Sequence, residues 1–376
     1  MNNNLDTPPP LGRAQRARHF YEKNENNIAI GFFIGGFLFD MLMLERIDSV
    51  MTWGQQAAYL VIIMLGMMQA FFEQGRTEPN LAQLSSLKRW YYDYRMPAIH
   101  FFFGSLLNGY ALFFFKSSSI LVSFVFLVIM SALLIANESQ RFKKSELTLK
   151  FGMLGLCFLC YFAYAVPLVM GFISTLVFLL SMVVGSLPLV FTGWWIQKQR
   201  PTYFELAKKQ ILMPMGLVLI VFLGLYSLKM IPPVPLSIPF IGVYHSVERT
   251  SEGYRLGHER PWWRFWHNGD QVFHAQRSDK VYVFFRVFSP TRFADQVVVR
   301  WYWKDNQQGW VLQDSIPIKI VGGRDEGFRG FGVKSNYQPG EWKVAIETTD
   351  EREIGRVYFT LDIAAEVPRT FEFETM

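Results

Sequence analysis

The side chains able to do chemistry gather in a few places along the chain. Arg260-Pro-Trp-Trp-Arg-Phe-Trp-His267 sets four large aromatics among cations within eight residues. Ring faces beside guanidinium groups suit stacking on sugars or lying against a bilayer surface, so Trp262, Trp263, Arg264 and Trp266 are the expected binding residues. Closeness in sequence to the last apolar run favours the membrane surface, or a lid on the domain that follows. Cys157 and Cys160 form a Cys-x-x-Cys pair, which beside a βαβ pattern would mean redox work. Both lie inside an apolar run with no His or acid nearby, so they read as small-residue helix packing. Asp40 is the one carboxylate well inside an apolar run, where an acid is costly to hold. It sits little more than a helical turn from Glu45, Arg46 and Asp48, within reach of an interface. His100 and Asn108, with Gln69, are placed to make an interhelical polar contact, whereas an ion pathway needs several such groups in series. His245, His258, His267 and His274 are spaced 13, 9 and 7 apart with no tight ligand pair, so no metal is expected. No Gly-x-Ser-x-Gly elbow, Walker loop or His-Glu-x-x-His motif occurs, and neither catalytic residue nor cofactor is assigned.

The elements that must position these residues divide at one stretch. Seven apolar segments, near Ile28–Leu44, Val50–Phe72, Pro97–Phe115, Ile120–Ala136, Thr148–Val166, Gly171–Phe191 and Ile211–Leu228, each approach the length that crosses about 30 Å of hydrocarbon. Pro167 and Gly171 supply the turn between the fifth and sixth. Residues 1–27 are polar and read as a disordered cytoplasmic tail, and 28–230 as a seven-helix transmembrane domain. Residues 231–239, rich in proline, cannot sustain a helix and read as a stiff extended spacer. Within the basic loops, Leu81, Leu84, Leu87, Tyr91 and Tyr94 recur at helical spacing beside Lys88, Arg89 and Arg95, as in a helix lying on an anionic membrane face. Thr202 and Glu205 form a capping-box pattern that starts a helix running into the seventh span.

Charge orients this scheme. Before residue 231 there are 19 Lys and Arg against 12 Asp and Glu, and after it 18 against 19, so the chain's net +6 belongs to the apolar half. Cations in short loops between apolar runs mark the cytoplasmic side and do not indicate nucleic acid. Assigning alternate loops to opposite sides puts sixteen cations on one side, from Arg13 to Lys209, and only Arg46, Lys116 and Lys229 on the other. Seven crossings then carry the carboxyl-terminal region out of the cytoplasm, into the periplasm of a bacterium with two membranes.

From residue 240 to 376 the period changes to alternation. Val281–Phe288, Gln296–Trp303, Ile316–Ile320, Trp342–Glu347 and Arg356–Ile363 read as strands separated by turn residues, which favours an all-β, antiparallel, immunoglobulin-like sandwich. With two cysteines, both in an apolar run, no disulfide framework supports it.

Five stretches carry a family likeness: Val298-Val-Arg-Trp-Tyr-Trp303, Gly322-Gly-Arg-Asp-Glu-Gly-Phe-Arg329, Lys334-Ser335, Pro339-Gly-Glu-Trp-Lys-Val344 and Gly355-Arg-Val-Tyr-Phe-Thr-Leu361. From about Lys280 to Asp362 the chain resembles the bacterial family known as domain of unknown function 2914. The apolar half is similar to the polytopic region that precedes this domain in some proteobacterial proteins. The resemblance implies an envelope protein and supplies no activity. Within it Arg324, Arg329 and Lys334 are the residues expected to contact an anion or carboxylate.

The expected function is a non-enzymatic, multi-pass inner-membrane protein whose periplasmic β-sandwich binds an envelope partner, a protein or a glycan. The alternative is a membrane enzyme or transporter with its site in the helix bundle near Asp40, His100 and Asn108 and the sandwich as a lid. The bilayer is the other expected partner.

Overall fold

The computed structural model describes residues 50–74, 85–117, 120–138, 146–251, 253–264, 266–276, 278–290, 293–321, 327–363 and 369–376. The expected first span, Asp40 and Arg324 lie outside them. Helices α1 (Val50–Glu73), α2 (Ser86–Lys116), α3 (Ile120–Glu138), α4 (Leu147–Met170) and α5 (Thr175–Gln199) are followed by a continuous helical run, α6 (Pro201–Ser227). Five stretches are long and apolar enough to cross a membrane: Met51–Glu73, Tyr94–Lys116, Leu147–Met170, Thr175–Gln199 and Pro201–Ser227. The seven expected spans therefore reduce to five among the described residues. α3 is apolar but contributes only the shorter stretch Ser123–Asn137.

Three local expectations change. Leu81 and Leu84 of the expected amphipathic loop helix lie outside the described residues, and Leu87, Tyr91 and Tyr94 belong with the third span to one 31-residue helix that contains Pro97. Pro167 lies inside α4, and the turn falls to Gly171 alone, at φ 79, whose N–H donates to the Pro167 carbonyl at 2.8 Å. α6 opens on a 3₁₀ turn capped by Arg200, without a side-chain cap from Thr202, and widens to a π-turn at Lys208–Leu212. α4 is the centre of the bundle, with 72% of its apolar stretch buried. Close approach there depends on small residues: a Cβ on Gly185 would stand 3.3 Å from the Leu159 backbone. Cys157 and Cys160 are buried and unbridged on this helix, as packing requires.

The strands are β1 (Ser237–Tyr244), β2 (Ser246–Arg249), β3 (Tyr254–His258), β4 (Val272–Ala275), β5 (Val281–Phe288), β6 (Ala294–Asp305), β7 (Gly309–Val321), β8 (Phe328–Lys334), β9 (Gly340–Thr348), β10 (Glu353–Ile363) and β11 (Glu372–Thr375). One sheet has the order β1-β5-β8, a second β4-β10-β9-β6-β7 and a third β11-β3-β2. Alternation builds the core between the first two sheets. Val281, Val283, Phe285 and Val287 of β5 are buried with Val297, Val299 and Trp301 of β6 and Trp342, Val344 and Ile346 of β9. The pairing is antiparallel except between β10 and β4, which run parallel.

The proline-rich segment is not a free spacer. Residues 231–236 are all buried, and Val234 and Leu236 donate back to the Pro232 and Pro233 carbonyls at 2.9 and 3.1 Å, so the prolines fill the joint between bundle and sheets. The α4–α5 turn enters the β domain: Ile173 joins its core, the Ile173 N–H donates to Asp295 Oδ2 at 2.9 Å, and the Ala294 N–H donates to the Gly171 carbonyl at 3.0 Å. The β9–β10 turn meets the end of α6, where Arg352 Nη2 donates to the Tyr226 carbonyl at 3.0 Å and Lys229 Nζ pairs with Glu351 at 2.8 Å.

These contacts give the β domain a near end and a far end. Ser237, Ala294, Thr348 and Glu353 lie by the bundle, and Tyr244, Asp305, Gly340 and Ile363 lie opposite. An eleven-residue strand such as β10 separates the two ends by about 30 Å.

Candidate functional site

The loop between β3 and β4 projects at the far end. Its base is pinned by one carboxylate: Asp270 Oδ1 accepts the Glu259 N–H at 2.9 Å, while the Asp270 N–H donates to the Val243 carbonyl at 2.8 Å. Gly269 makes the close approach, at φ +61, where a Cβ would stand 2.1 Å from the Val243 oxygen. Within the loop the N–H groups of Arg264 and His267 donate to the carbonyls of Pro261 and Arg264, at 3.0 and 3.1 Å. The apex shows its rings to solvent, with Trp262 80%, Trp263 48% and Trp266 61% exposed. The Arg264 guanidinium lies over Trp263, 4.8 Å from the ring centre. Three large apolar side chains are thus exposed together on a loop whose base is held in place.

Beneath the loop lies a group of acids and imidazoles in which the His245 and Asp270 side chains are buried. The His245 ring stacks on Phe273 with centroids 3.9 Å apart, and its Nε2 stands 3.5 Å from Glu259 Oε2 and 3.7 Å from Asp270 Oδ2. His274 Nδ1 is 3.1 Å from the same Glu259 oxygen, and Arg369 Nη1 donates to Asp279 Oδ2 at 2.7 Å. Burial pushes the Asp270 carboxyl up to about 7 and, with Arg369 nearby, the His245 imidazole down to about 4. Among the described residues no group of three or more His, Cys, Asp or Glu side chains could hold a metal ion.

The other expected site residues do not converge on the loop. Arg329 stands at the near end of β8, opposite Arg286 of β5, with its guanidinium beside Gly253. Lys334 stands at the far end of β8 on the inward face, 6% exposed, with its ammonium ion-paired to Asp314 and 5.3 Å over the Trp342 ring. In the bundle, His100 is buried and its carbonyl accepts from Asn137 Nδ2 at 3.3 Å, while Asn108 is half-buried two turns along. Gln69 turns instead to Glu73 at 2.9 Å, which also accepts from Arg95 at 2.7 Å and ties α1 to α2. Sequence reasoning missed Asp270, Glu259 and Arg369; only the Gly269-Asp270 pair, a turn signal, pointed to the pinned base.

The matched family covers four strands of the five-stranded sheet and one strand, β8, of the facing sheet, and does not include the aromatic loop. Residues 294–361 match the family described as Protein of unknown function (DUF2914). That DUF2914 region runs from the start of β6 to Leu361 of β10, and contains Trp301 and Trp342, the two largest wholly buried side chains. No curated protein matches the chain. Among solved structures, an immunoglobulin-like protein from Pseudomonas aeruginosa is similar over 34% of this chain and 98% of its own, at 10% identity and a TM-score of 0.21. A β-glucosidase from intestinal bacteria is similar over 23% of this chain, at 16% identity and a TM-score of 0.19, and the match spans 14% of that enzyme's length. A β-glucosidase from Listeria innocua in complex with glucose is similar over 26% of this chain and 15% of its own, at 13% identity and a TM-score of 0.18.

Proposed function

We propose that the chain is a multi-pass protein of a bacterial inner membrane that holds an immunoglobulin-like β domain in the periplasm and binds an envelope partner with that domain's far end. The observation that carries this reading is the loop of Trp262, Trp263 and Trp266, exposed at its apex and pinned at its base by Asp270. The location rests on the cation-rich loops, which retain one side of the bundle in the cytoplasm. The loop faces away from the bundle, so the contact it makes is with something other than the bilayer that holds its own helices. The earlier expectation of a membrane-surface contact is replaced for that reason.

Two measurements test the reading. Alkaline phosphatase fused after Met376 should be active, and a green fluorescent reporter at the same point should be dark. A photo-crosslinking residue in place of Trp262 or Trp266, in cells, should give a discrete adduct with an envelope protein or with murein. The same residue in place of Val321, which is 62% exposed near the bundle, should give none of it. A dark phosphatase fusion, or identical adducts from all three positions, overturns the proposal.

A further inference from the structure

A second feature of the far end lies on the outward face of the five-stranded sheet. β7 and β10 bring Trp310 and Tyr358 side by side along a cleft of about 200 Å³, the two rings touching with their centres 5.7 Å apart and inclined by 50°. Trp342 lies under it, and Gln271, Glu341 and Thr360 form the rim. Gln271 follows the pinned end of the aromatic loop directly, so cleft and loop are contiguous.

The chemistry of the lining selects a ligand. A pyranose ring has C–H faces that lie against aromatic rings and an edge of hydroxyls that each donate and accept. The cleft offers two adjoining aromatic rings together with an amide, a carboxylate and a hydroxyl, which supply both donors and acceptors. Glu341 is paired with Lys304 at 2.7 Å and Arg356 with Glu353, and one further cation, Lys343, lies 5.4 Å over the Trp310 ring, so a bound cation is disfavoured and the hydroxyls of a sugar find both acceptors and charged donors. A peptide cannot add as a strand to β10, whose backbone is paired on one side with β9 and on the other with β4, and the Thr360 N–H donates to the Gln271 carbonyl at 2.8 Å; the sheet's free edge at Trp310 is the side of β7 away from β6. The volume is below the usual range for drug-sized ligands and suits a single ring of a longer chain.

We infer that this cleft binds one sugar ring of a neutral oligosaccharide, hexose or N-acetylhexosamine, whose chain continues over Gln271 towards Trp262 and Trp266. The inference rests on the reading of the far end as the partner-binding end and names the partner's chemistry. The intact protein in nanodiscs, titrated calorimetrically with tri-N-acetylchitotriose and with maltotriose, should show saturable binding of one of the two, and which one binds separates a murein-type glycan from a hexose polymer. Trp310→Ala and Tyr358→Ala should each weaken that binding about 10-fold, the loss of one ring face and its buried area. Glu341→Gln, an exposed rim change that leaves the fold intact, should weaken it less but measurably. Binding of neither saccharide, or wild-type affinity in all three variants, overturns the inference. If the crosslink from Trp262 to an envelope protein persists while neither saccharide binds, the inference fails and the partner-binding reading stands. If saccharide binds at Trp310 and no crosslink forms, the aromatic loop is not the contact and that reading fails instead.

Discussion

Arg352→Ala should loosen the β domain from the helices and expose the chain at Lys229 to trypsin. Arg352 is 6% exposed at the turn between β9 and β10, with its guanidinium 3.3 Å above the Tyr226 ring. Tyr226 in turn stacks on Phe178 of α5 at 3.5 Å, so two rings and a cation form one pile through the joint. The same guanidinium donates to the Tyr226 carbonyl at 3.0 Å and to Asp350 Oδ2 at 3.2 Å. The Tyr226 carbonyl belongs to the last turn of α6, where the unsatisfied end of the helix favours a cation. Asp350 also holds Thr175 and the Tyr226 hydroxyl, at 3.2 and 3.3 Å. Removing the guanidinium leaves Asp350 partly buried beside three neutral hydroxyls, those of Thr175, Tyr226 and Thr348, at a cost of about 2–4 kcal/mol to the joint.

Proteolysis reads that cost directly. Cleavage that waits on local opening follows the open population, so about 2 kcal/mol accelerates the cut after Lys229 by about 30-fold. Arg352→Lys should fall between the two, because an ammonium keeps the charge but neither stacks as a plane nor reaches both acceptors. Equal cutting of wild-type and Arg352→Ala protein would show that the buried prolines hold the joint without the arginine.

The parts of this fold that follow from one-dimensional pattern were legible, and the parts made by distant pairs were not. β5 was readable end to end because Val281, Val283, Phe285 and Val287 are apolar at every inward position. β8 was not, because its inward positions include Gly330 and Gly332. Added Cβ atoms there would stand 3.0 Å from the Phe285 ring and 3.2 Å from Val299, so the core side chains across the interface occupy the space and β8 shows no hydrophobic alternation. The aromatic loop was legible as a cluster of rings and cations but its place in the fold was not, since closeness to α6 in sequence says nothing about the direction in which β1 leads the chain. β1 runs away from the bundle and takes the loop with it. Lys334 was expected to contact an anion or carboxylate, and only the inward face of β8 shows that its charge is already paired within the chain, with Asp314. The Trp310–Tyr358 cleft joins strands 48 positions apart and has no signature in either one.

Asp270→Asn should stabilise the protein most at pH 8 and clearly less at pH 5. Burial raises the Asp270 carboxyl from 3.8 to about 7, so the folded state holds a proton between those values that the unfolded chain has released. Stability from this group is therefore greatest in acid and is lost as pH rises through 7. His245 acts in the opposite sense, because burial and Arg369 lower it from 6.5 to about 4: its contribution is present above 6.5 and lost as pH falls through 4. The two slopes oppose each other between about 4 and 6.5, and the difference between variant and wild type isolates Asp270, since His245, Glu259, His258, His274, Asp279, Arg260 and Arg369 face both proteins alike. Asparagine keeps an oxygen for the Glu259 N–H and turns an amide towards His245 Nε2, without a charge to bury. The gain at pH 8 should be about 2–4 kcal/mol, seen as a higher melting temperature of the full chain in nanodiscs; it should fall to less than half of that at pH 5, where the unfolded carboxyl is already ionised, and vanish only below about pH 4. Asp270→Ala removes the acceptor as well as the charge, so it should free the base of the aromatic loop and give a smaller gain at pH 8 and a loss at pH 5. An Asp270→Asn gain of the same size at both pH values would mean that the carboxyl is ionised throughout, and that the loop is pinned by a charged acid.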